Sequence, residues 1–181
     1  MPTLHYKRAT TYAELEQIRA LQIQNSIPNI TPEEKLQEGF VTVQHTVELL
    51  EQMNNACAHI IAKDGETVVG FALVMLPEFR NEIQVLASMF DRIDSLLPNP
   101  SSYVVMGQIC VAKKYRKQGI FRGLYAFYKE ELQDQFDFLI TDVAVINERS
   151  MQAHEAVGFK KIDTYEEDAV VWNIIAWDWR H

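Results

Sequence analysis

The run Arg116-Lys117-Gln118-Gly119-Ile120-Phe121-Arg122-Gly123-Leu124 follows an apolar, strand-like stretch and opens an amphipathic, helix-like one. A strand that enters a helix through a glycine-containing turn aims the first backbone N–H groups of the helix at that turn, where the helix dipole is positive. Such a turn cradles anions, and a phosphate is the natural guest. Lys113, Lys114, Arg116 and Lys117 place four cations within five positions, on a chain of formal net charge -8. Further on, Asn147, Ser150 and His154 stand three and four residues apart, a spacing that puts them on one helical face able to line one groove. Asp142 sits in the middle of an apolar run, where a carboxylate needs a partner or a purpose.

These groups need a frame. Residues 4–9 alternate as a first strand, and residues 11–24 carry Leu15, Ile18 and Leu21 at helical spacing after Thr11. Pro28 and Pro32 end that helix; Thr31-Pro32-Glu33-Glu34 reads as a fresh helix start, with proline at the first position and acids in the first turn. Another helical segment covers about 46–54. Residues 58–63 and 68–76 are β-rich runs joined by Asp64-Gly65-Glu66, a hairpin signal. Between Pro77 and Pro100, the spacing of Phe79, Ile83, Leu86, Phe90, Ile93 and Leu97 predicts a helix. A strand over 103–112, a helix over 120–133 and a strand over 138–146 then form a crossover that requires a parallel pair. Asn147 suits a helix N-cap and Gly158 its stop, and residues 162–165 and 170–179 close the chain as an antiparallel pair. The expected architecture is α/β (α+β): a central twisted mixed sheet flanked by helices, with a helix inserted between strands 3 and 4.

At 181 residues, 48% hydrophobic and 23% charged, the chain fits one domain, 1–181, that buries roughly 70% of its unfolded surface. Two cysteines, Cys57 and Cys110, without a second cysteine or histidine at ligand spacing, make neither a disulfide framework nor a metal set. A reducing cytoplasm is the expected setting, and no metal is expected. The N-terminus lacks an apolar signal core and no run approaches the roughly 20 apolar residues of a membrane span. The acidic balance argues against general nucleic-acid binding and leaves room for a cationic acceptor.

The two motifs, in this order, resemble those of the GNAT superfamily of acyl-CoA-dependent N-acetyltransferases, and the resemblance covers most of the chain. The family's phosphate motif, R/Q-x-x-G-x-G/A, appears after Val111 as Arg116-Lys117-Gln118-Gly119-Ile120-Phe121, with Phe121 replacing the last small residue and narrowing the room there. The second motif, N-x-x-A/S-x-x-x-Y-x-x-x-G-F, appears as Asn147, Ser150, His154, Gly158 and Phe159, with histidine where tyrosine is usual. The resemblance implies transfer of the acetyl group of acetyl-CoA directly to a primary amine, of a small molecule or a peptide, by a monomer or homodimer. Coenzyme A would lie along Ile109, Cys110, Val111 and the turn Arg116, Lys117, Gln118, Gly119, Ile120, Phe121, Arg122 and Gly123, with Asn147 and Ser150 also in contact. The backbone near Cys110 and Val111 would anchor the thioester carbonyl.

Acyl transfer to an amine also needs a base and a proton for the departing thiolate. His154 stands where the family's proton donor stands; an ordinary imidazole, pKa about 6.5, is about one quarter protonated at pH 7, and its neutral form still carries one N–H. Gln108 occupies the place where relatives often carry an acidic base, which leaves Asp142 as the conspicuous carboxylate. For each residue a plainer reading stands beside this one: His154 satisfied within the core, Asn147 only a cap, Ser150 structural, Asp142 paired for structure. A catalytically silent acyl-CoA-binding or sensor module is the alternative that Gln108 and His154 raise. The 77–100 segment could be a lid or acceptor wall, with Glu78, Glu82, Asp91 and Asp94 favouring a cation, or it could pack outside the sheet or form a dimer contact.

Overall fold

The structure is a computed structural model that describes residues 3–34, 43–97, 99 and 102–180. Among the described residues, seven strands and five α-helices follow one another in the order β1 (Leu4–Arg8), α1 (Tyr12–Gln24), α2 (Val47–Ala56), β2 (Ile60–Asp64), β3 (Thr67–Met75), α3 (Ala87–Leu96), β4 (Tyr103–Val111), α4 (Ile120–Leu132), β5 (Phe138–Ala144), α5 (Glu148–Val157), β6 (Lys160–Glu167) and β7 (Val170–Asp178). The hydrogen-bonded strand order is β1-β2-β3-β4-β5-β7-β6. Two compact units divide the chain: Met1–Val74 with Gly107–Glu131, and Met75–Met106 with Leu132–His181. β4 contributes its first four residues to the second unit and the remainder to the first.

In the first unit β1 runs antiparallel to β2, and β2 to β3, across the Asp64-Gly65 turn with a bulge at Ala62/Lys63. Helix α1 starts where its sequence signal lies. The Glu14 N–H donates to the Thr11 hydroxyl at 3.2 Å, and the Thr11 N–H returns a bond to the Glu14 carboxylate at 3.3 Å. This is a reciprocal capping box. Glu14 is buried yet ionised. Burial raises its pKa, but hydrogen bonds from Lys7 (2.7 Å), the Thr10 N–H (2.8 Å) and Lys63 (3.2 Å) outweigh that and hold it at about 2. Helix α4 packs Ile120, Leu124, Tyr125 and Tyr128 inward. The segment from Thr31 begins as its sequence suggests, with Glu34 N–H bonded to the Thr31 hydroxyl at 3.1 Å; its continuation over 35–42 lies outside the described residues.

In the second unit β4 and β5 pair in parallel from Tyr103↔Phe138 to Val105↔Ile140, as the crossover requires. Thr141 Oγ1 then donates to the Met106 carbonyl at 2.9 Å. β5 pairs antiparallel with β7, and β7 with β6, through the turn at Asp168 and Ala169. The helix predicted over 77–100 is shorter than its apolar spacing implied. Residues Pro77–Asn81 and Gln84–Leu86 form separate 3₁₀ turns, and only Ala87–Leu96 is α-helical. A step of three residues suits a 3₁₀ turn as well as an α-helix. Here the chain folds back so that Arg80 packs over the Phe90 ring at 5.2 Å and pairs with Asp94 at 2.5 Å.

Helix α5 ends at Gly158, whose φ of 131° is open only to glycine. A Cβ there would also stand 2.7 Å from Trp177 Nε1. Gly158→Ala is therefore expected to lose about 2–5 kcal/mol, combining backbone strain with overpacking. The midpoint of urea unfolding measures it, and an unchanged midpoint would contradict the assignment.

Candidate active site

The turn that carries the first motif lies wholly in the first unit. After β4, Lys113–Tyr115 form one 3₁₀ turn, Lys117 and Gly119 take left-handed φ of 62° and 82°, and α4 begins at Ile120. The first bond of the helix runs from Gly123 N–H to Gly119 O at 3.0 Å, which places the positive end of the dipole at the turn. Over Gly119 the turn is open: a Cβ added there would meet nothing within 4 Å. Lys117, Gln118, Gly119 and Arg122 are exposed, whereas Ile120 is buried beneath them.

The cations around this turn are not uniformly available to a ligand. Lys113 pairs with Glu34 at 2.8 Å. Arg116 turns back: its Nε donates to the Val111 carbonyl at 3.2 Å and a terminal nitrogen donates to Asn25 Oδ1 at 2.6 Å. The Phe121 ring meets Tyr125 edge-on at 5.1 Å, so it packs along its own helix. Gly123 has a reason of its own, since a Cβ there would overlap the Tyr6 phenol. Cys110 is buried and its thiol is pushed up to about 12 by desolvation, which leaves an inert side chain on β4. Gln108, one residue from Ile109, is tied on both sides: it accepts from Gln22 at 2.7 Å and donates to the Val43 carbonyl at 2.9 Å.

The second motif lies in the second unit. Asn147 caps α5, its Oδ1 accepting from the Ser150 N–H at 3.2 Å. His154 is 2% exposed, with its ring edge-on to Phe159 at 5.3 Å. Burial lowers its pKa to about 4, against a smaller opposing effect of the Ser150 carbonyl. The imidazole one quarter protonated at neutral pH is thus corrected: it is neutral. Nδ1 lies 2.7 Å from the Ser150 carbonyl, which only accepts, so the single proton of the neutral ring sits on Nδ1 and is given to that carbonyl. Ser150 Oγ lies 3.4 Å from the same nitrogen.

Asp142 does have a partner. The Tyr165 hydroxyl donates to its Oδ2 at 2.6 Å, from β6. Desolvation dominates the carboxyl and pushes its pKa up to about 6, partly offset by the Tyr165 hydrogen bond. Around it, Arg92 of α3 lies over the Tyr165 ring at 5.9 Å and binds Asp163 at 2.7 Å, while Ser88 of α3 donates to Glu167 at 2.7 Å. The inserted helix is therefore fastened to β6. Of the four acids singled out in the 77–100 segment, Asp94 is engaged by Arg80 and by the Tyr103 hydroxyl at 2.9 Å. Sequence reasoning missed Asn25, Tyr6 and Tyr165; of these only Asn25 carried a local signal, an asparagine at a helix C-terminus.

The sequence model of the acetyltransferase (GNAT) family matches residues 21–159. The chain belongs to that family. Among solved structures it is similar to the ribosomal-protein-S18-alanine N-acetyltransferase from Escherichia coli, at 12% identity and a TM-score of 0.65, over 97% of this chain and 94% of that one. It is similar also to a chain of the NatC complex bound to Gag peptide and CoA (13% identity, 97% and 98% covered, TM-score 0.67). A third likeness is to yncA from Salmonella typhimurium, solved with its cofactor acetyl-CoA (11%, 98% and 95%, TM-score 0.66). A search of curated proteins found no match. Among the described residues no helix is long and apolar enough to cross a membrane, and no cluster of three histidine, cysteine or acidic side chains is placed to hold a metal.

Proposed function

We propose that the chain, acting as one catalytic domain, transfers the acetyl group of acetyl-CoA directly to a primary amine of a small molecule or peptide. The turn at Gly119 carries this reading: left-handed, open above its α-carbon, and set at the positive end of α4. Backbone N–H groups of residues 117–122 would hold the pyrophosphate, which costs them no reorganisation because the turn is already formed. The backbone of Ile109, Cys110 and Val111 would receive the thioester arm.

For the chemistry, Asp142 is proposed as the base. The amine nitrogen attacks the thioester carbonyl, the C–N bond forms, the C–S bond breaks, and the proton lost by nitrogen goes to Asp142 while the thiolate takes one from water. His154, neutral and with its proton given to the Ser150 carbonyl, is proposed to hold the first turns of α5 rather than to supply that proton. Asn147 and Ser150 act there with it.

The test is thermal unfolding with acetyl-CoA, coenzyme A and ATP, each at about 100 times the expected dissociation constant. A bound ligand then stabilises by about 2.7 kcal/mol, or roughly 5–10 °C for a chain of this size. The expected result is a shift with both CoA species and none with ATP, followed by release of free thiol when amines are added. No shift with either CoA species would sink the reading.

A further inference from the structure

Arg116 stands in the family's phosphate motif, yet its guanidinium points back into the protein. It bridges the Val111 carbonyl (3.2 Å), where β4 ends, and the side chain of Asn25 (2.6 Å), 91 residues away in sequence. Asn25 is 3% exposed and caps the C-terminus of α1. Its amide is used at both ends, since Nδ2 donates to the Leu21 carbonyl at 2.8 Å while Oδ1 accepts a hydrogen bond from the Arg116 guanidinium. A carboxamide so fixed offers its oxygen in one direction only. The cation also lies near the negative end of the α1 dipole, which favours it there. Just beyond Arg116 the chain adopts the left-handed conformations at Lys117 and Gly119 that aim the turn; Lys117, with a side chain, adopts its conformation at a cost.

We propose that Asn25 is a positioning residue for the cofactor: through Arg116 it holds the phosphate turn in the conformation that binds the CoA pyrophosphate. This rests on the reading that the turn binds CoA. When a competent conformation is only fractionally populated, apparent affinity falls by that fraction, so releasing the turn weakens binding without removing any group that touches phosphate.

The experiment is calorimetric titration of coenzyme A into the wild-type chain and into Asn25→Ala, Arg116→Gln, the double variant, Asn25→Asp and Arg116→Lys, at several salt concentrations. Asn25→Ala is expected to weaken CoA about tenfold, a loss that leaves the salt dependence of binding unchanged. The same substitution should have no further effect in the Arg116→Gln background, because the two act as one unit. Asn25→Asp keeps the acceptor and should bind CoA more tightly than Asn25→Ala, through a charge-assisted bond to Arg116. Arg116→Lys keeps the charge but cannot bridge Val111 and Asn25, so it should lose as much as Asn25→Ala; this variant carries the test if Asn25→Ala does not fold. Wild-type affinity in Asn25→Ala or Arg116→Lys, or a full Asn25→Ala effect persisting without Arg116, would overturn the inference. Failure of the wild-type chain to bind CoA would instead overturn the proposed function.

Discussion

Asp142→Asn is expected to lower kcat/KM about 10²- to 10⁴-fold for any amine that the wild-type chain acetylates, the range that a general base supplies. The substitution keeps the shape of the side chain and an oxygen able to accept from the Tyr165 hydroxyl, so CoA affinity should not change. What it removes is the ability to take a proton. With a pKa of about 6 the wild-type carboxyl is ionised at neutral pH, and activity should rise with pH through about 6 before levelling. Tyr165→Phe supplies an independent check. The phenol hydrogen bond favours the charged carboxylate, so its loss leaves only a backbone hydrogen bond to oppose desolvation and should move the acidic limb to higher pH. A purely structural pairing of the two residues would lower yield or stability and leave the limb where it was. Full turnover by Asp142→Asn would remove Asp142 from the mechanism.

Acid should unfold this chain early. His45, His59 and His154 are 4%, 0% and 2% exposed, and burial lowers each pKa to about 4. His59 shows why: it is locked in the neutral form, Nδ1 accepting from the Val74 N–H at 3.0 Å and Nε2 donating to the Leu50 carbonyl at 3.1 Å. Because the folded values lie below the unfolded ones, the unfolded chain binds three more protons between about pH 6.5 and 4. Folding stability then falls by about 4 kcal/mol for each pH unit of acidification. Asp142 acts in the opposite sense between about pH 6 and its unfolded value of 3.8, since its folded form binds the extra proton; this returns about 1.4 kcal/mol per pH unit. Glu14, held at about 2, adds a further loss below its ordinary 4.5. The net loss between pH 6.5 and 4 approaches 7 kcal/mol, comparable with the whole stability of a typical domain. Melting temperature should therefore be level from pH 7 to 8 and fall steeply below 6.5. A level profile down to pH 4 would show that these histidines titrate normally.

Much of this was legible because it is local. Thr11, Asp64-Gly65, Asn147 and Gly158 each specify their caps and turns within a few residues, and the structure places each of them so. The turn at Gly119 was readable for the same reason, being defined by one glycine between a strand and a helix. Spacing failed where it was ambiguous: Ile83 to Leu86 is a step of three, which suits a 3₁₀ turn as well as an α-helix, and residues 77–86 form two such turns with Arg80 paired to Asp94. The proton on His154 was unreadable because it depends on burial and on which nitrogen faces the Ser150 carbonyl. Asn25 with Arg116 and Asp142 with Tyr165 were hidden for a third reason, since partners 91 and 23 positions apart leave no periodic trace.

The contact between Tyr6 and Gly123 bears on the order in which this sequence can change. With the phenol standing where a Cβ would be, a side chain at position 123 requires Tyr6 either to swing aside or to be exchanged for a smaller residue. The two positions are therefore coupled: Gly123→Ala is easier to reach after Tyr6 has been truncated than before, and the same substitution scored alone would report the displacement of Tyr6 together with any effect on ligand binding.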